Sequence, residues 1–350
     1  MGMVKKALMA VFALTLLSGC FVKVNTAPVG SSSGVFYSSN GGQDWSNISR
    51  LLTTEENNTF AGTNIQLLQF DPKNPDIIYA GGAEGLFYSI DAGKSWQMTL
   101  NRRGTVNAIA VHPSQSCVLL AGVSNQIYKS TDCARTWEAV LTESKSEAYI
   151  TSLAADAKDP AVIYAASSSG SLYKSKDSGS SWQSAKFFNK PVRYVAVSWN
   201  NSNHLYVALD EEGLLKSVDR GLNWINTTEI NSKEMRGITN FHELRFSPFD
   251  SETLYYVSDY GIVWSSDGGT TWQPLNLLTP PASAYIYSLA IGHEDEDVLY
   301  YSTIDTLYSS RDGGQSWQTK SLPTSRTLRV LRVRPGTNDI LYAGAGKPIN

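Results

Sequence analysis

Short apolar runs bounded by turn residues recur along the whole chain. Ile77-Ile78-Tyr79-Ala80-Gly81 is one, and it follows the turn Asp71-Pro72. Counterparts are Val118 to Gly122, Ala161 to Ala165, His204 to Ala208, Leu254 to Val257, Val298 to Tyr301 and Ile340 to Gly344. His112-Pro113, Ser247-Pro248 and Arg334-Pro335 supply the turn before three of them. Runs this short, rich in β-branched and aromatic residues and punctuated by Pro and Gly, predict strands.

A second pattern lies between these runs. Gly85-Leu86-Phe87-Tyr88-Ser89 reads as a strand, Ser95-Trp96-Gln97 opens the next, and the intervening residues follow Ser-x-Asp-x-Gly-x-(Ser/Thr)-Trp. The pattern begins at Ser38, Ser89, Ser130, Ser175, Ser217, Ser265 and Ser310, at intervals of 41 to 51 residues. Its acidic slot holds Asn40, Asp91, Asp132, Asp177, Asp219, Asp267 and Asp312, and it ends on Trp45, Trp96, Trp137, Trp182, Trp224, Trp272 and Trp317. Each residue type has a mechanical reason. A short carboxylate accepts hydrogen bonds from turn N–H groups, the glycine permits positive φ, and the Trp buries a large face. Asn40 can still make the turn. Ala134, in a glycine slot, would cost about 1–2 kcal/mol if φ is positive there.

Seven units of about 45 residues, each an inner strand, two further strands and a hairpin to an outer strand, predict a seven-bladed all-β propeller. The chain enters on a third strand, Val35-Phe36-Tyr37, and leaves on a second strand, Leu341 to Gly344. The two halves are expected to complete one blade and close the ring, with the domain spanning 35–350. The closed ring is expected to be a monomer.

The Ser-x-Asp-x-Gly-x-(Ser/Thr)-Trp motif resembles the Asp-box (BNR) repeat, and the resemblance covers essentially everything after residue 34. The chain most resembles the photosystem II assembly/stability factor-like family, single seven-bladed Asp-box propellers that are often lipid-anchored. In that family an arginine-rich surface contacts a partner protein. By resemblance, Arg102, Arg103, Arg193, Arg236, Arg326 and Arg329 could form such a patch here. The sortilin propeller, which binds peptides, is similar but has more blades.

The N-terminus has two lysines, Lys5 and Lys6, then an apolar run from Ala7 to Leu17. That is a secretory signal, 1–19, too short to span a bilayer as a helix. Leu17-Ser18-Gly19-Cys20 resembles the lipobox of bacterial lipoproteins, which implies cleavage before Cys20 and acylation of its sulfur. Two or more chains give stable anchoring. Phe21 points to the outer membrane in a diderm; in a monoderm the anchor would lie on the outer face of the plasma membrane. Residues 20–34 hold the lipidated cysteine and a flexible tether. The chain carries a formal charge of −3, and loss of both lysines with the signal makes the mature part more acidic. Nucleic acid is therefore not an expected partner.

In this topology the hairpins share one face of the disk, and the blade-to-blade connections share the other, where binding loops are expected. Aligned inner strands put Gln66, Asn107, Thr151, Arg193, His242, Tyr287 and Arg329 at equivalent positions near that second face. Arg193 and Arg329 would suit a carboxylate, phosphate or acidic partner. Cys117 starts a second strand and Cys133 sits in the hairpin after the adjacent third strand. Antiparallel pairing brings them to one edge, so a disulfide is expected, as in an oxidising compartment.

Catalysis is the competing reading. Sialidases share the repeats and use an arginine triad with a Tyr nucleophile. Arg193, Arg329 and Tyr287 faintly resemble this, but the first unit has no Arg-Ile-Pro motif and no third arginine is evident. Xyloglucanase-type glycosidases need paired carboxylates. Glu84, Asp210, Glu211, Glu212, Asp259 and Asp305 lie on candidate loops, though solvated turns explain them, and a second propeller to form a cleft is missing. Gly30 to Gly34 fits Gly-x-Ser-x-Gly only within the tether. His112, His204, His242 and His293 lack metal-ligand spacing. The sequence therefore reads as a lipid-anchored envelope propeller that binds a protein or assembles a complex, with no catalytic residue, metal or cofactor assigned. A glycoside hydrolase or glycan-binding protein is the alternative, and the partner is an envelope protein or a glycan.

Overall fold

The computed structural model describes residues 32–53, 58–229 and 233–348. The signal segment 1–19, Cys20 and the tether up to residue 31 lie outside them. The described residues form seven four-stranded antiparallel sheets arranged as a seven-bladed β-propeller. Blade 1 runs from β3 (Ile65–Phe70) through β4 (Ile78–Gly82) and β5 (Gly85–Ser89) to β6 (Gln97–Thr99). Blades 2 to 6 repeat this over 106–142, 150–187, 192–226, 241–274 and 288–321.

Blade 7 is shared between the two ends of the chain. Its inner strands β27 (Thr327–Val333) and β28 (Leu341–Gly346) continue into β1 (Gly34–Ser38) and β2 (Ser46–Asn47). Gly34 pairs with Ala345 and Ser38 with Leu341. Pairing β1 with β28 removes two open edges at once.

Burial explains the sequence pattern strand by strand. All five residues of β4 are buried, as are those of the equivalent strand Ile163–Ser167. A strand covered on both faces is a continuous apolar run rather than an alternation. The outer strand Gln183–Phe187 is exposed throughout. Seven hydrophobic clusters lie between the sheets, each joining two neighbouring blades. Close approach requires small residues on the second strand. A Cβ on Gly122 would lie 2.7 Å from Ile150 of the next blade, and one on Gly344 would lie 2.6 Å from Ile65 where the ring closes.

The hairpins fasten themselves. Ser89 Oγ donates to Asp91 Oδ1 (2.7 Å) and accepts from Gly93 N (2.8 Å). Asp91 then accepts from the backbone N–H and hydroxyl of Ser95. The same bonds recur at Asp132, Asp177, Asp267 and Asp312, and at Asp219 with Asn223 Nδ2 donating in place of a hydroxyl. In blade 7 the carboxylate has moved. Asn40 Nδ2 donates to Asp44 Oδ2 (2.8 Å), while Asn40 Oδ1 still accepts from Asp44 N. Ala134 has φ 67°. Beside it a disulfide joins Cys117 to Cys133, whose Cα atoms are 3.9 Å apart.

Candidate functional site

The inner strands surround a channel whose mouth opens on the connection face. A cavity of about 290 Å³ occupies it. Six of the seven inner strands carry a β-bulge near the mouth. The register slips between Ile65 and Leu67, Val106 and Ala108, Ile150 and Ser152, Val192 and Tyr194, Phe241 and Glu243, and Leu328 and Val330. The residues caught in those slips are Gln66, Asn107, Thr151, Arg193, His242 and Arg329. Tyr287 stands just before the seventh inner strand, Ser288–Ile291, with its N–H on Ser302 O (2.9 Å). All seven line the cavity. A bulge turns its extra residue out of the ladder and re-aims the side chain, which here delivers one polar group per blade to the mouth.

The ring is lopsided. On blades 1 to 3 it is neutral. Gln66 Nε2 donates to Val106 O and Asn107 Oδ1 (both 3.3 Å), and Thr151 Oγ1 donates to Val192 O (2.7 Å). On blades 4 to 7 it is charged and aromatic. Arg193 donates through Nε and Nη2 to Asp210 Oδ1, at 2.9 and 2.7 Å. His242 Nε2 lies 2.7 Å from Asp259 Oδ1, with its ring stacked on Tyr285 at 4.1 Å. Tyr285 in turn meets Tyr287 at 4.7 Å, and Tyr194 stacks on Phe241 at 5.3 Å. Burial raises the pKa of both Tyr285 and Tyr287, so the hydroxyls stay protonated. Arg329 has no ion-pair partner among the described residues, and burial lowers its pKa. Its Nε is buried without a hydrogen bond.

Deeper in the channel lies a group that sequence reasoning missed. Arg245 Nη2 donates to Glu243 Oε1, and Arg332 Nη1 donates to the same oxygen at 3.3 Å. The other carboxylate oxygen accepts from Leu289 N (2.7 Å) and Ser288 Oγ (3.2 Å). Glu243 thereby ties blade 5 to blades 6 and 7. Arg245 and Arg332 occupy equivalent places, each opposite a second-strand tyrosine, Tyr255 and Tyr342.

The six arginines grouped by resemblance fall in different surroundings. Arg193 and Arg329 line the channel, and Arg236 lines a neighbouring groove with Asp259 and Tyr285. Arg103 lies over the Tyr128 ring on blade 2, at 5.2 Å. Arg102 and Arg326 do not line the channel cavity. Among the candidate carboxylates, Asp210 and Asp259 are held by Arg193 and His242, and Glu84 Oε2 accepts from Thr63 Oγ1 (2.7 Å). Glu211 lies 3.6 Å from Lys190. No cluster of three or more His, Cys, Asp or Glu side chains among the described residues is placed to hold a metal.

Seven blades and a polar axial channel define the class of protein, and solved structures of that class are similar to this chain. A GH74 xyloglucanase from Xanthomonas campestris matches at TM-score 0.65 and 17% identity, covering 81% of this chain and 51% of the xyloglucanase. A structure of YCF48 bound to D1 peptide matches at TM-score 0.62 and 18% identity, covering 85% and 96%. YCF48 from Cyanidioschyzon merolae matches at TM-score 0.60 and 13% identity, covering 81% and 95%. The chain thus spans about half the length of the xyloglucanase and nearly all of YCF48. At these identities the likeness is one of fold. Comparison of the sequence with family models and with curated proteins gives no match.

Proposed function

We propose that this chain is a lipid-anchored envelope protein, held at Cys20, whose channel-mouth face binds a partner protein or helps assemble a complex. The observation that carries this reading is the lopsided ring. Charged and aromatic side chains gather on blades 4 to 7 at the open face, at inner-strand bulges and the turns beside them, away from the hairpins. Aromatic and arginine anchors around a partly desolvated centre are the composition of binding hot spots. The D1 peptide held by a propeller of similar fold and length adds support.

The test is affinity capture from the native envelope, comparing the wild type with Arg193→Ala/Arg329→Ala and with Gln66→Ala/Asn107→Ala. A partner bound by the wild type should be lost from the arginine variant, with affinity lower by at least about tenfold, and kept by the amide variant. Equal capture by all three would reject the mouth as the site. Turnover of a soluble glycan by the wild type would instead favour the hydrolase reading. Acylation is tested by the mass of the mature chain and its loss in Cys20→Ser.

A further inference from the structure

Register divides the channel wall below the mouth into layers. The layer that contains Arg245 and Arg332 is the position paired with Tyr79, Leu120, Tyr164, Tyr206, Tyr255, Tyr300 and Tyr342 on the second strands. In the other blades this place holds Gln69, Ala110, Ala154, Ala196 and Ala290. Where blades 5 and 7 carry guanidinium groups, four blades carry alanine and one an amide, so the positive charge of this layer is confined to two blades. Arg245 and Arg332 also line a second cavity of about 270 Å³, which includes Pro248 and His293 from the hairpin side of the disk. The two arginines therefore stand where both cavities meet, at the waist of the channel.

The charge there is unbalanced. Four arginines line the upper cavity with a single carboxylate, Glu243; Arg193 is paired with Asp210, which leaves Arg245, Arg329 and Arg332 against Glu243. Both waist guanidiniums share one oxygen of that carboxylate, and backbone and serine donors occupy the other. Two positive charges remain uncompensated in a confined wall of a chain whose formal charge is −3. Arg245 Nε and Arg329 Nε are buried donors without an acceptor. A buried donor left unpaired is costly, and a confined field of one sign draws counter-ions. Arg329 and Arg332 lie three residues apart on β27, about 10 Å along the strand. One small ligand with several acceptor oxygens can therefore reach both levels.

We propose that the channel is a binding site for a small oxyanion carrying two or more negative charges, held between Arg329 at the mouth and Arg245 and Arg332 at the waist. A cavity near 290 Å³ has room for about ten waters or one small polyanion, but not for a folded element. Guanidinium forks fit carboxylate and phosphate oxygens equally, so the shared chemistry is a phosphate or a polycarboxylate. The site shares Arg329 with the proposed partner-binding mouth, but its reading rests on anion binding alone and is tested without a partner.

The test is thermal unfolding of the full chain at constant ionic strength, titrated separately with inorganic phosphate, citrate and chloride. Phosphate or citrate should raise Tm saturably, while chloride should not, and the more effective anion identifies the class. Arg329→Gln breaks no contact that fastens blades together, so it should fold, as checked by tryptophan fluorescence. It should weaken the effective anion by at least about tenfold, the loss of one charge-assisted hydrogen bond. Arg245→Lys should weaken it less, because the charge remains while the fork is lost. A Tm that follows ionic strength alone, or saturable binding unchanged in Arg329→Gln, would overturn the site.

Discussion

On one face of the disk, seven hairpins repeat one bond from a glycine-slot N–H to a serine hydroxyl within 2.8–3.0 Å. On the other face, the seven equivalent mouth positions hold Gln66, Asn107, Thr151, Arg193, His242, Tyr287 and Arg329, of which only the arginine recurs. Both faces belong to the same blades. The hairpin face satisfies its serine, carboxylate and turn N–H groups locally, within eight residues, so its sequence is constrained and repeats. Six of the mouth residues leave the ladder at bulges and Tyr287 precedes its strand, so no local pattern repeats among them from blade to blade. Residues that the fold dictates and residues that it leaves free are thus separated along each blade.

The largest expected effect removes the hairpin face everywhere at once. Hydrogen bonds from Thr136 hold Asp132 down to about 2, and those from Ser316 and Asn223 do the same for Asp312 and Asp219. For Asp267, burial pushes upward, but bonds from Thr271 and Ser265 prevail and hold it at about 2. Because the folded values lie below the unfolded ones, the unfolded chain binds more protons. The stabilisation is fully present above about pH 4 and is lost as pH falls towards 2. The midpoint of urea unfolding should fall gently below about pH 6.5, as unfolding lets His112 and His293, whose pKa values burial lowers, take up protons. It should then fall steeply between about 4 and 2. A midpoint flat down to pH 2 would mean that the hairpin carboxylates do not fasten the blades.

A single blade gives the next largest effect. Trp96 is fully buried, edge-on to Phe60, and its Nε1 donates to Ile48 O (2.7 Å) and Gly93 O (3.1 Å). Trp96→Ala should cost about 3–5 kcal/mol in denaturant unfolding. Captured partner at the mouth should be unchanged while the protein is folded. Loss of partner binding in the folded variant would show that the two faces are coupled. Removing the disulfide with Cys117→Ser/Cys133→Ser should cost about 3 kcal/mol, the chain-entropy estimate for a loop near its separation of 16 residues. An unchanged midpoint under reducing conditions would mean that blade 2 is fastened without it.

The same contrast decides what could be read from the sequence. The hairpins were legible because local hydrogen bonding dictates residue types at fixed spacing, from Ser38 to Trp317. The mouth ring was legible only as a column in the aligned strands, since nothing local marks Gln66 or Arg193 as special. Glu243, Arg245 and Arg332 were missed for a physical reason. The bulge at His242 breaks the period-two alternation of Phe241–Phe246, so simple parity puts His242 and the pair Glu243/Arg245 on opposite faces. Their meeting with Arg332 joins strands 89 residues apart, and no local pattern carries that. The column of mouth residues, moved three places along each inner strand, already places Arg245 and Arg332 together among Gln69 and four alanines, but only the structure shows that this column carries charge into the channel.

The smallest prediction asks whether blade 2 departs from the rule at a cost. Ala134 sits at φ 67° with no solvent exposure, in the core shared by blades 1 and 2. The same slot in blade 3 holds Gly179 at φ 82°, where a Cβ would run into Leu120. Ala134→Gly should relieve about 1–2 kcal/mol of left-handed strain. It also adds about 0.4–1 kcal/mol of unfolded-chain freedom and gives up the packing of one methyl. The net gain should therefore stay below about 1 kcal/mol, read as a rise in Tm of a few degrees at most. Gly179→Ala, with the same strain and a clash besides, should lose several times that amount. If Ala134→Gly destabilises the protein, the methyl is part of the packing between blades 1 and 2, and the departure from glycine is a local repair rather than a tolerated fault.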